Sequence, residues 1–389
     1  MAARHVALRV GIVAGETSGD ILGARLMRAI RCRVDGVEFS GIGGDQMLAE
    51  GLQSRAALSR LSVNGFVEPL KRLPDLLRVL KDLVRHFSES AVDVVVGVDF
   101  NVFNLLAERL VKRRSIPTAH YVSPSVYAWR RGRVKRIGRA ADVVMALFPF
   151  EPELYRDHGV RAVFVGHPLA DDIAPGAGCD AARQAARSRL GLETDAIVVA
   201  LMPGSRMSEI EAMGEVFMAT AARLQLELGR CAFIVPCPDP GIRDRLRKMV
   251  CGRSAELDVR LTTGNSVEAM TAADGVLVKS GTGTLEAMLL RRPMVVTYRL
   301  GALTYRVVKA LKSSEFVALP NILSGRRLVP ELLQDAAEPD GLARALLGEM
   351  RRARDDPGYF CEFDRQHAIL RRGASDRAAE AVLSLVDSR

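Results

Sequence analysis

Nowhere in this 389-residue chain do roughly 18 uncharged apolar residues follow one another, the least that a membrane-spanning helix requires. Any contact with a bilayer is therefore expected to be peripheral. No secretory leader is expected either, because the apolar run Val6–Ala14 is interrupted by Arg9 and followed at once by Glu16 and Asp20. The six cysteines (Cys32, Cys179, Cys231, Cys237, Cys251, Cys361) form no Cys-x-x-Cys pair, and no histidines stand at zinc spacing. Neither a disulfide framework nor a metal site is signalled, and a cytoplasmic setting is expected. Aromatic residues amount to 5%, with a single Trp, and do not interleave with the basic runs as base-stacking platforms would. This argues against nucleic acid as a partner. Low-complexity tracts are absent, which excludes the disordered and fibrous classes.

What the chain does have is length, apolar content and unevenly placed charge. At 389 residues, 48% of them apolar and 26% charged, it is long for one hydrophobic core, so two domains of comparable size are expected. The net charge is +9, and residues 1–170 carry 25 Lys/Arg against 17 Asp/Glu while the remainder carries 30 against 29. An anionic partner, such as acidic lipid headgroups or a phosphorylated substrate, would account for a basic first half. Solubility charge accounts for it equally well.

Short β-branched runs alternate with helical patterns, as in parallel sheets built from βαβ units. The first half offers strands at Val6–Ala14, Val37–Gly41, Val92–Val98, Thr118–Val122, Val143–Leu147 and Val163–Val165. A break containing Pro175, Gly176 and Gly178 follows. The second half restarts with Ile197–Met202, Ala232–Val235, Val259–Leu261, Gly275–Val278 and Met294–Thr297, and beyond Pro330 the pattern is helical only. The expected fold class is α/β, with two Rossmann-like, doubly wound parallel-sheet domains facing a cleft and a helical C-terminal tail. The expected boundaries are residues 1–169, a linker at 170–180, a second domain at 181–330 and the tail at 331–389.

In such sheets the sites lie in loops at the carboxyl ends of strands. The first strand ends in Gly15-Glu16-Thr17-Ser18-Gly19-Asp20, a small-residue loop before a helix. This suits an anion or hydroxyl, although the spacing is not that of a dinucleotide loop. Ser18 or Asp20 capping the helix is an equally good reading. The run Val92–Val98 delivers Asp99 to a strand end, where a partly desolvated carboxylate suits a general base that deprotonates a hydroxyl in a single displacement. Locally, a helix cap is the more ordinary role. Ser123, Ser125, Trp129 and Arg130 belong to a segment of hydroxyls and aromatics that suits a sugar headgroup, and a basic run follows through Arg139. Leu73, Leu76, Leu77, Leu80, Leu83, Val84 and Phe87 form one helical stripe flanked by Lys and Arg. Such a helix either lies on an anionic bilayer or, more commonly, faces a core.

In the second half, Pro203-Gly204-Ser205-Arg206 with Glu209, and Lys279-Ser280-Gly281-Thr282-Gly283-Thr284-Leu285-Glu286, are two phosphate-sized turns, each between a strand and a helix. A diphosphate leaving group gains charge as its bond breaks, and a Gly-Ser turn with an Arg can stabilise that charge. No Asp-x-Asp occurs, so the acidic pair that commonly holds a metal on such a diphosphate is missing. Glu286 is placed to accept hydrogen bonds from ribose hydroxyls. Helix-end electrostatics would also explain it and Thr284.

Taken in order, these motifs with Ala128-Trp129-Arg130, Phe148-Pro149-Phe150-Glu151, Gly166-His167-Pro168, Pro293-Met294-Val295-Val296 and Leu319-Pro320-Asn321 closely resemble the lipid-A-disaccharide synthase family across nearly the whole chain. The resemblance implies an inverting GT-B glycosyltransferase that needs neither cofactor nor metal. It would join UDP-2,3-diacylglucosamine to 2,3-diacylglucosamine 1-phosphate (lipid X), giving a β-1,6-linked disaccharide 1-phosphate and UDP. It further implies peripheral attachment to the cytoplasmic face of the inner membrane of a Gram-negative cell, and a homodimer that exchanges C-terminal segments, unless the tail packs on its own N-terminal domain. By motif, Asp99 is the base, and Glu16, Ser18, Gly19, Asp20, Ser123, Ser125, Trp129 and Arg130 line the acceptor side. Gly204, Ser205, Arg206, Glu209, Ser280, Gly281, Thr282, Thr284, Glu286 and Asn321 hold UDP. The chain departs from the family pattern after Asp99, where Phe100-Asn101-Val102 replaces a segment with a second carboxylate, and at Tyr127 and Asn64, where Trp and Met are common. The competing readings are another GT-B enzyme acting on UDP-N-acetylglucosamine, whether transferase or epimerase, and a non-catalytic basic binding protein.

Overall fold

The strands of this chain are apolar on both sides because helices cover both faces of the sheets they form, the condition that all-parallel sheets meet. A computed structural model describes residues 7–61, 68–124, 134–251, 257–301 and 315–387. By internal contacts the chain divides into one unit of Met1–Asp171 with Ile369–Arg389 and a second of Asp172–Ala368.

The first unit holds a seven-stranded sheet of β1 (Leu8–Ala14), β2 (Val37–Ile42), β3 (Gln53–Ser54), β4 (Val94–Val98), β5 (Thr118–Tyr121), β6 (Val143–Ala146) and β7 (Ala162–Phe164). Its order is β3-β2-β1-β4-β5-β6-β7, parallel throughout. β1 pairs with β2 on one side (Val10 opposite Phe39) and β4 on the other (Val10 opposite Val94). Chain order therefore reverses between β1 and β4, and the loops leaving these two strands diverge to leave a crevice at their carboxyl ends.

The second unit repeats the plan with β8 (Ile197–Met202), β9 (Cys231–Cys237), β10 (Val259–Thr263), β11 (Gly275–Lys279), β12 (Met294–Tyr298) and β13 (Glu331–Leu333), in the order β10-β9-β8-β11-β12-β13. Its switch point lies between β8 and β11, which pair with Val276 opposite Ala200. The long helix Met207–Leu228 buries Ile210, Met213, Phe217, Ala221 and Leu224 at helical spacing against Phe233, Leu277, Leu342 and Leu346.

Two short edge strands, β3 and β13, escape the periodicity reading. β3 is two exposed polar residues, and β13 stands at the start of the segment expected to be helical only. Each is defined by its neighbour, β2 or β12, and not by an apolar pattern of its own. The helices of that segment are present, but they belong to different units. Pro339–Asp355 packs on β11, β12 and helix Met207–Leu228, whereas Ala374–Val386 packs on helix Thr17–Arg31 of the first unit.

The basic amphipathic stripe is divided as well. In helix Glu68–Glu89, Leu80, Leu83, Val84 and Phe87 lie in the core with Val13, Val95 and Phe103, whereas Leu73 and Leu77 are 49% and 42% exposed. No helix among the described residues is long and apolar enough to cross a membrane.

Candidate functional site

At the switch point of the first sheet, β4 ends in two consecutive non-glycine residues with left-handed backbone, Asp99 (φ 50°) and Phe100 (φ 46°). Val122, just past β5, is a third (φ 78°). Such conformations cost of order 1–3 kcal/mol each and persist where surrounding contacts over-determine them. Here the contacts are specific. The Asp99 amide donates to the Tyr121 carbonyl at 2.8 Å, and the wholly buried Asn104 side chain donates to the carbonyls of Val13, Val98 and Asp99 at 2.9–3.1 Å. Asn104 thus fastens the ends of β1 and β4 together. The Phe100 ring lies over Gly15, where a Cβ would meet it at 2.2 Å, so the first loop needs glycine at that position.

Burial raises the Asp99 carboxyl above the ordinary carboxylate range, opposed by a hydrogen bond from the Phe100 backbone and by the charge of His120. His120 is itself buried, with Nδ1 2.7 Å from Glu108 Oε1. A partly desolvated carboxylate on a fixed backbone can accept a proton from a hydroxyl presented to it.

The other first-half candidates separate. Glu16 and Ser18 are exposed, and Gly19 is buried close to the Val98 carbonyl. Asp20 is 3% exposed and its carboxylate accepts from the amides of Gly44, Gln46 and Met47 at 2.7–3.1 Å. It therefore caps helix Asp45–Ala49, a distant segment, and not the helix in which it stands. Ser123 is also interior, with its hydroxyl 2.8 Å from Tyr155 Oη and 3.2 Å from the Pro124 carbonyl. Beside it Glu151 is buried and accepts from the Phe148 amide, and burial drives its pKa up to about 8. Ser125, Trp129 and Arg130 lie outside the described residues, as does the loop 62–67.

In the second unit the two turns leaving β8 and β11 come together around a cavity of about 430 Å³. Gly204, Ser205, Arg206, Glu209, Ser280, Gly281, Thr282 and Glu286 all line it. Glu209 reaches back to accept from the Ser205 and Arg206 amides at 2.9 and 3.3 Å, and its other oxygen meets Lys279 Nζ at 2.9 Å. Gly204 has φ 138°, and a Cβ there would meet the Glu209 carboxylate at 2.5 Å, so the turn closes only around glycine. Burial alone would raise the Glu209 pKa, but the Lys279 hydrogen bond and charge and the two amides hold it below the usual range.

Lys279 also sits 4.7 Å from the centre of the Tyr298 ring. The sequence reading includes Lys279 in the turn but gives it no role of its own, although a cation ending the otherwise apolar strand Gly275–Lys279 is a usable signal. Ser266 is a second omission: its hydroxyl donates to Glu286 Oε2 at 2.8 Å, and burial leaves Glu286 above the ordinary carboxylate range despite that bond.

Thr284 and Asn321 do not line the cavity. Thr284 Oγ1 donates to the Gly281 carbonyl and accepts from the Leu319 amide. Asn321, wholly buried, binds the Leu328 and Val329 amides, the Val329 carbonyl and Glu331, which organises the turn into β13.

A family model described as lipid-A-disaccharide synthetase matches residues 10–365, so both of these sites fall inside it. The chain belongs to the lipid-A-disaccharide synthase family. Among its relatives are lipid-A-disaccharide synthases of Pseudomonas aeruginosa (strain UCBPP-PA14), 50% identical with 98% of this chain and 99% of that one covered, and of Azotobacter vinelandii, 48% identical with 98% of each covered. Similar solved folds include a UDP-GlcNAc 2-epimerase from Neisseria meningitidis bound to UDP-GlcNAc (TM-score 0.67, 12% identity, 97% of this chain and 100% of that one). Another is a glycosyltransferase from Rickettsia africae (TM-score 0.60, 10% identity, 98% and 99%). At these identities the solved structures speak to the fold, which is the glycosyltransferase arrangement expected of a lipid-A-disaccharide synthase.

Proposed function

We propose that this chain transfers the sugar of UDP-2,3-diacylglucosamine to 2,3-diacylglucosamine 1-phosphate, forming the β-1,6-linked lipid A disaccharide 1-phosphate and UDP. The observation that carries the reading is the convergence of two strand-end turns with Arg206 and Lys279 on one cavity, in a chain of this family. Two cations there stabilise a diphosphate as the glycosidic bond breaks and its charge grows. Glu286, held by Ser266, faces the same cavity and suits the ribose hydroxyls.

Asp99 takes the proton of the acceptor's 6-hydroxyl as that oxygen attacks the anomeric carbon from the side opposite UDP. The configuration inverts, the C–O bond to UDP breaks, and the electron pair leaves on the diphosphate. The charge that a divalent metal supplies elsewhere is assigned here to Arg206, Lys279 and the loop amides.

The enzyme would work against the cytoplasmic face of the inner membrane without crossing it. Exposed Leu73 and Leu77 on helix Glu68–Glu89, with Val102 and Leu106 on helix Asn101–Lys112, support an apolar membrane contact, and the basic first half suits anionic headgroups. Use of UDP-N-acetylglucosamine is the weaker reading, because the epimerases share this fold at only 12–14% identity.

The test is UDP release from UDP-2,3-diacylglucosamine in detergent and excess EDTA, with and without lipid X, followed by product mass. Acceptor-dependent UDP and the disaccharide mass are expected. Activity that returns only with magnesium would overturn the role given to Arg206 and Lys279, and turnover of UDP-N-acetylglucosamine alone would overturn the lipid reaction.

A further inference from the structure

The second unit has a larger cavity at the other end of its sheet. About 990 Å³ in volume, it is lined by residues at the amino ends of β8, β11 and β12, where Ile197, Asp274 and Pro293 stand, whereas the turns of the candidate donor site leave the carboxyl ends. Six arginines line it against four carboxylates. The inner arginines meet at Asp274: its Oδ2 accepts from Arg187 at 2.6 Å and from the Val198 amide at 2.8 Å, and its Oδ1 is 3.4 Å from Arg183, which also pairs with Asp180 at 2.9 Å.

Arg292, 4% exposed, has no carboxylate partner within bridging distance among the described residues. Its Nη2 donates only to the carbonyls of Gly178 and Thr271, at 2.8 and 2.9 Å. Its Nε is buried with no hydrogen-bond partner, and so is the Nε of Arg183. Burial, with the charges of Arg183 and Arg187 beside it, lowers the Arg292 pKa to about 10, which still leaves it cationic at neutral pH. A buried guanidinium answered only by carbonyl dipoles, next to two more whose carboxylate partners are Asp274 and Asp180, leaves positive charge in excess, three guanidinium groups against two carboxylates.

We propose that this cavity binds a phosphate-bearing small molecule, at a site separate from the one that holds the nucleotide. Guanidinium forks match phosphate oxygens in pairs, and the arginines lining this cavity outnumber its carboxylates six to four. At the rim, Arg291 lies 5.0 Å from the centre of the Phe360 ring, so the ligand would meet an aromatic wall as well as charge.

The probe is pyrophosphate, titrated calorimetrically into the full-length protein carrying Arg206→Ala and Lys279→Met, which empties the donor pocket of its cations. One saturable site is expected to remain, weakened at least tenfold by adding Arg183→Gln or Arg292→Gln. Arg183 keeps the test open if the buried Arg292 variant fails to fold, and thermal melts identify that case. Loss of all binding in the donor-pocket variant, indifference to Arg183→Gln, or displacement by sodium chloride at matched ionic strength would each overturn the second site. A wrong donor assignment would show differently, as unchanged binding on introducing Arg206→Ala and Lys279→Met into the wild type.

Discussion

Asp99 owes its candidacy to three neighbours more than to its own chemistry. Asn104 holds its carbonyl, Tyr121 holds its amide, and the Phe100 ring resting on Gly15 keeps the following residue left-handed. Asp99→Asn preserves this shape while removing the base. It should lower kcat by about 10²–10⁴-fold and leave UDP affinity unchanged, to be checked by steady-state kinetics beside a UDP titration. Because burial raises the carboxyl, the acidic limb of the kcat/KM profile should lie above the usual carboxylate range, with activity falling as protons reoccupy Asp99. Asn104→Ala removes the fastening but not the base, so part of kcat should survive and the acidic limb should move. At the donor pocket the residue to alter is Lys279. Replacing it with Met removes a cation from the pocket and strands the half-buried Glu209 carboxylate, so UDP should bind roughly tenfold or more weakly, as measured by calorimetry.

Among the elements, the long buried strands were legible because apolar runs between glycine-rich turns have few other uses in an α/β chain, and strand ends located both candidate sites. What was not legible depends on partners far away in sequence. Asp20 reads as a cap for its own helix, but the pairing of β1 with β2 brings the amides of Gly44 to Met47 to it instead. Ser123 reads as a sugar contact because hydroxyls and aromatics surround it in sequence. Tyr155, arriving from helix Glu151–Arg156, turns it inward. The same helix carries a pH dependence. Glu151 binds its proton more tightly folded, with a pKa of about 8, than unfolded, near the ordinary 4.5. The native state therefore holds the extra proton between those values, and stability is full below about 4.5 and lost as pH rises through 8. Melting temperatures from pH 5 to 9 should decline in the wild type, with a flatter slope in Glu151→Gln. Equal slopes would mean that Glu151 ionises as readily folded as unfolded.

At the scale of the whole chain, the first unit is completed by residues that follow the second unit in sequence. Asp171, where that unit's continuous stretch ends, accepts the amides of Gly373 and Ala374 at 2.9 and 2.7 Å and so caps helix Ala374–Val386 from 202 positions away. Arg33 ties the same helix to helix Thr17–Arg31 through Asp376 at 2.6 Å and Glu380 at 3.3 Å, and Ala374, Ala378, Ala379 and Val382 are wholly buried. Arg33 is partly exposed, so its pairs contribute little. The cap and the apolar contacts are the stronger terms. Asp171→Ala leaves two helix-end amides without their acceptor and should cost about 1–2 kcal/mol, felt by the first unit alone. In a unit of this size that corresponds to a fall of roughly 2–8 °C in its calorimetric transition. UDP binding, which the candidate donor site assigns wholly to the second unit, should keep its affinity. If one unfolding transition moves as a whole and UDP affinity falls with it, the two units unfold together and the division by contacts has no thermodynamic counterpart. Separation of the transitions would instead make the returning helix the element on which folding of the half that carries Asp99 depends, although the whole second unit precedes it in sequence.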